Sequence, residues 1–73
     1  MPEDVKAHIT GVVFLITGKP GDAVTAGDPI IVLESMKMEI PVLADAAGTV
    51  TEVVVEVGDV VRDGDPLVVI ATL

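Results

Sequence analysis

Residues 11–33, GVVFLITGKPGDAVTAGDPIIVL, align without a gap on residues 48–70, GTVTEVVVEVGDVVRDGDPLVVI, at an offset of 37. The identical pairs are Gly11/Gly48, Val13/Val50, Gly21/Gly58, Asp22/Asp59, Val24/Val61, Gly27/Gly64, Asp28/Asp65, Pro29/Pro66 and Val32/Val69. Two copies are too few to stack as a solenoid. The repeat therefore predicts one domain over residues 1–73, made of two similar halves related by a pseudo-two-fold axis.

Each half reads as a strand, a Gly-Asp turn, a short extended piece closed by Gly-Asp-Pro, and a second strand of branched apolar residues. Proline after Asp28 and Asp65 holds the backbone extended where the following strands begin. Val, Ile and Thr supply 27 of the 73 residues, and Phe14 is the single aromatic. Branched side chains of this kind suit a pleated, half-buried surface. Along residues 52–57, Glu52, Val54 and Glu56 alternate with Val53, Val55 and Val57, as in a strand with one wet face. Val50 is out of phase with that set, which predicts a bulge near Thr51 and Glu52. With a further strand expected around Val5 to Ile9, the chain should form about eight short strands, enough for an all-β flattened barrel or two-sheet sandwich.

Between the halves lies Val32–Val42, VLESMKMEIPV, which contains no Gly, Asn or Asp. Its helix-forming residues and Pro41 would suit a helix. The repeat decides otherwise, because Gly27–Leu33 matches Gly64–Ile70, whose continuation to Leu73 leaves no room for one. A two-residue turn at Met36-Lys37 sets Ser35 opposite Met38, Glu34 opposite Glu39, Leu33 opposite Ile40 and Ile31 opposite Val42. That register puts apolar against apolar, yet it opposes two carboxylates and exposes two methionines on a turn that Asn-Gly would suit better. Local rules broken together mark a functional tip. Lys37 presents its amine far from the body of the fold, and Met36 and Met38 offer a flexible apolar handle to a macromolecular partner.

Glu34-Ser35-Met36-Lys37-Met38-Glu39 resembles the Ala-Met-Lys-Met signature of biotinyl domains, with serine in place of the usual alanine. The turns Gly21-Asp22, Gly27-Asp28-Pro29, Gly48-Thr49-Val50, Gly58-Asp59 and Gly64-Asp65-Pro66 extend the resemblance over roughly residues 11 to 70, and the small stand-alone biotin/lipoyl attachment proteins are the nearest kind. The resemblance implies a barrel-sandwich hybrid of two four-stranded antiparallel sheets, and the gapless repeat leaves no room in one half alone for the protruding thumb of some bacterial carriers. It implies biotin held covalently on Lys37 after transfer by a biotin protein ligase. Met36 and Met38 would be read by the ligase, with Glu34, Ser35 and Glu39 flanking. Biotin carboxylase and carboxyltransferase subunits would be the working partners of such a carboxyl carrier. A lipoyl carrier is the alternative within the family, but lipoyl domains usually place Asp before the lysine, where Met36 stands here. An unmodified interaction scaffold on the same barrel is the alternative from another class.

Twelve acids against four bases, Lys6, Lys19, Lys37 and Arg62, give a net charge of -8, which argues against nucleic acid and anionic membrane surfaces as partners. The absence of cysteine removes disulfide and thiolate chemistry. No apolar run approaches the roughly 20 residues that span a bilayer, and a cytoplasmic, soluble, monomeric protein is expected. His8 has no nucleophile arranged around it and reads as a surface or edge-strand residue. Arg62-Asp63-Gly64-Asp65 lacks the spacing of a calcium loop and reads as a turn. No phosphate-binding loop or nucleophile with its base is found, so the chain is expected to carry a group without being itself an enzyme.

Overall fold

A computed structural model describes residues 2–72 as eight strands: β1 (Pro2–Lys6), β2 (Gly11–Ile16), β3 (Ala23–Val24), β4 (Pro29–Ser35), β5 (Met38–Leu43), β6 (Gly48–Val53), β7 (Val60–Val61) and β8 (Pro66–Thr72). They form two four-stranded sheets of order β1-β8-β6-β3 and β5-β4-β2-β7, with every pairing antiparallel. The Cα envelope measures 35 × 17 × 17 Å. The flattened two-sheet sandwich expected from the repeat is therefore observed.

The halves interlock. The short strand β3 of the first half pairs with β6 of the second, and β7 of the second pairs with β2 of the first. The turns repeat this exchange at the sequence offset of 37: Gly21 N donates to Val50 O (2.7 Å) as Gly58 N donates to Val13 O (2.8 Å), and Val50 N donates to Asp22 O as Val13 N donates to Asp59 O. Each Gly-Asp turn is locked from within. The Asp22 and Asp59 carboxylates accept from the amides of Lys19 (3.0 Å) and Glu56 (2.9 Å), and Asp28 and Asp65 do the same for Thr25 and Arg62. This is the local side-chain-to-backbone bonding that makes Asp a turn residue. Gly21 and Gly58 have φ of 96° and 99°, a region costly for any residue with a Cβ.

The core is filled by equivalent positions of the two halves: Ile30 with Leu67, Ile31 with Val68, Leu33 with Ile70, and Val13 with Val50, all fully buried. No polar or charged residue is buried among the described residues, so cohesion rests on apolar burial, worth about 1.5–3 kcal/mol for each large side chain. The bulge expected near Thr51 and Glu52 is present, since the β6–β8 register shifts between Val50 and Glu52. Its counterpart lies in β2, between Val13 and Leu15.

Two expectations need correction. The first strand runs Pro2–Lys6 rather than around Val5 to Ile9. Its ladder with β8 ends at Lys6 opposite Pro66, which has no amide hydrogen to donate, and Ala7 then bonds with Gly64 and Asp65 in the neighbouring turn. The alternation expected over residues 52–57 holds for Val53 and Val55, which are half-buried, but Val57 is exposed. Val57 lies past the end of β6, against the turn at Gly58-Asp59, where the pleat no longer directs side chains inward.

Candidate functional site

The β4–β5 hairpin has the register read from the sequence, with Ile31 opposite Val42, Leu33 opposite Ile40, Glu34 opposite Glu39 and Ser35 opposite Met38. Met36 and Lys37 form the two-residue turn, with φ of 52° and 65°. Positive φ at both central positions defines the type I′ turn, whose twist matches that of the flanking strands. The tip is anchored from beneath, because Leu33 is completely buried while Ile40 is half-buried beside it. A two-stranded arm therefore carries a pair of residues that local chemistry would not select there.

Met36 is 92% exposed and Met38 64%, and Lys37 is exposed between them. Exposed methionines contribute almost nothing to the core, and their thioether chains remain free to pack on an incoming surface. Glu34 and Glu39 are also exposed and flank the turn from directly opposed positions, while Ser35 is half-buried in the pair that closes it. All six residues singled out in the sequence thus come together within one hairpin end. The other lysines are held differently: Lys6 lies on edge strand β1, and Lys19 sits in a turn braced by its own backbone bond to Asp22.

His8 is exposed and follows β1. It lines, with Lys6, Ile9, Pro41, Leu43 and others, a shallow pocket of about 210 Å³ between β1 and β5. This pocket leaves no local signature in the sequence, because its walls come from strands far apart in the chain. Among the described residues no group of three or more His, Cys, Asp or Glu side chains is placed to hold a metal ion. No helix among them is long and apolar enough to cross a membrane.

The sequence profile of the biotin/lipoyl family, described as that of biotin-requiring enzymes, matches residues 1–70. The chain belongs to this family. Among curated biotin/lipoyl relatives it is 51% identical over 52 residues to a biotinylated protein TB7.3 homolog of Mycobacterium leprae, a match covering 71% of this chain and 73% of the relative. Its fold superposes on a single-chain, multi-domain long-chain acyl-CoA carboxylase with a TM-score of 0.92 and 33% identity, over 99% of this chain but only 7% of that enzyme. The lipoyl domain of the 2-oxoglutarate dehydrogenase complex from Azotobacter vinelandii superposes with a TM-score of 0.76 and 34% identity, over 93% of this chain and 94% of that domain. The same barrel is therefore found within a carboxylase chain and in a lipoyl domain.

Proposed function

We propose that this chain is a biotin carboxyl carrier and that Lys37 is the residue that holds biotin. The observation that carries the reading is the position of Lys37 in a type I′ turn, exposed between two exposed methionines at the end of the hairpin. Attachment requires an unobstructed primary amine that another protein can surround, and the tip offers one. Acylation needs the nitrogen lone pair free and a carbonyl with a good leaving group, so the ligase must supply an activated acyl group and accept a proton from Nζ. The Nζ lone pair then attacks the carbonyl of a biotinyl adenylate, the amide bond forms, and AMP leaves. Met36 and Met38 give the ligase apolar contact on both sides of the amine, and the arm formed by β4 and β5 keeps the tip clear of the body.

Bound biotin supplies a site that accepts a carboxyl group at a biotin carboxylase and releases it at a carboxyltransferase. The chain contributes orientation and reach. A tethered group visits both sites at high local concentration without dissociating. On this reading the chain is a cytoplasmic carrier on which other proteins act. The superposition on a lipoyl domain supports lipoylation as the second reading, and Met36 at the position before the lysine favours biotin. Incubation with purified biotin protein ligase, biotin and ATP, followed by intact-mass and peptide mapping, tests the proposal. One biotinyl group on Lys37 is expected. Lipoyl mass on protein purified from its native host, or modification of Lys6 or Lys19 instead, would overturn it.

A further inference from the structure

The internal repeat provides its own control, because each outward-facing position of one sheet has a counterpart in the other at the sequence offset of 37. Both sheets satisfy the same fold, so a difference between their outer faces is not explained by folding. Apart from Glu34 and Glu39 beside the hairpin tip, these positions on the β5-β4-β2-β7 sheet include Pro41, Val32, Val12, Phe14, Leu15 and Val60. Their counterparts on the β1-β8-β6-β3 sheet are Asp4, Val69, Thr49, Thr51, Glu52 and Ala23. One face is apolar at every one of these positions and the other is mostly polar. Val12 lies directly opposite Val60, and Leu15 opposite Val32, so the apolar residues are neighbours. Phe14 is the only aromatic in the chain, and it is 49% exposed. Its counterpart Thr51 has a structural task, donating from Oγ1 to Val69 O across the bulge, whereas Phe14 spends its large apolar ring on solvent.

Charge differs in the same sense. The turn that abuts the apolar sheet through Val13 carries Glu56 and Asp59, while its counterpart against the polar sheet carries Lys19 and Asp22. Glu34, beside Val12 on the apolar sheet, is matched by Ala71 on the other. An exposed apolar patch with a polar rim marks an interaction site. A second copy of this chain is a poor occupant, because two acidic rims on molecules of net charge -8 would be brought together.

We infer that the outer face of the β5-β4-β2-β7 sheet is a docking surface for a protein partner whose contact patch is apolar at its centre and ringed by lysine and arginine, and, on the carrier reading above, that this partner is the biotin carboxylase. Apolar centre and acidic rim then have separate effects. Phe14 with its neighbours supplies burial, and the acids speed and orient encounter in a salt-dependent way. The face is continuous with the arm that ends in Lys37, so a partner seated on it has the tip within its margin.

The test exchanges one face for the other within the same chain. The variant V12T/F14T/L15E/V60A carries, at each position, the residue that the equivalent site already holds. Binding of the unmodified full chain and of this variant to the purified biotin carboxylase of the same host is measured by calorimetry at low and high salt. The parent is expected to bind, more weakly as salt rises, and the variant to lose about tenfold or more, as truncation of central interface residues does. The variant should still melt cooperatively and be biotinylated at the parent rate, because none of the four residues is at the tip. The reverse graft, T49V/T51F on the polar sheet, should leave binding unchanged. Equal binding by parent and variant, or no binding by the parent, overturns the inference. So does a parent that sediments as a dimer while the variant is monomeric, which would make a second copy the occupant. Failure of Lys37 to accept biotin sinks the carrier reading independently of these outcomes.

Discussion

Replacing Met36-Lys37 by Asn-Gly should stabilise the fold while abolishing its modification. Both residues have φ in the left-handed region, at 52° and 65°. A residue with a Cβ spends roughly 1–2 kcal/mol to stay there. Asn tolerates the region and Gly is indifferent to it, but Gly returns about 0.5–1 kcal/mol through the greater freedom of the unfolded chain. Little packing is lost, since Met36 is 92% exposed and Lys37 is also exposed. The net gain should be about 1–2 kcal/mol, and each kcal/mol raises the melting midpoint of a domain this small by roughly 4–8 °C. Thermal melting followed by circular dichroism, with urea titration as a second measure, reads the effect. An unchanged or lowered midpoint would refute the reasoning, showing that the methionine or the lysine stabilises the turn and that function has not been placed there against local preference.

Met36→Asp, with Lys37 kept, should remain folded and be biotinylated much more slowly, because the ligase loses an apolar contact and meets a third negative charge near Glu34 and Glu39. The rate of biotin transfer by purified ligase measures this, and an unchanged rate would mean that hairpin shape alone selects Lys37. Lys37→Arg should keep stability within about 0.5 kcal/mol, as exposed substitutions usually do, and should accept no biotin by intact mass. Gly48→Ala should be strongly destabilising in a urea titration. An added Cβ would strike Ala71 O and come within 2.8 Å of Ile70 Cγ2, a clash with backbone and core that should cost about 2 kcal/mol or more. Leu33→Ala removes a side chain with no solvent exposure beneath the tip and should cost about 2–5 kcal/mol, with loss of biotinylation only where the hairpin unfolds.

The main strands, the turns and the hairpin register are legible in the residues alone, because they are consequences of local chemistry repeated twice. Asp with Gly at a turn, Pro at the start of a strand, and alternating apolar positions act within a few residues, and the offset of 37 exposes each signal a second time. Lys37 was legible for the opposite reason, as a place where the local rules fail. The end of β1 is not legible in the sequence, because Ala7 is decided by partners nearly sixty positions away, the backbone of Gly64 and Asp65, which no local pattern records. Only the tertiary structure shows that β3 and β7 cross to the sheet of the other half, since two-residue strands have too little pattern to name a partner. The contrast between the two outer faces was likewise hidden. A valine reads as core in any sequence, and whether Val12 and Val60 face the interior or water is set by the pleat of the strands that carry them, a property of the assembled sheet rather than of the residue.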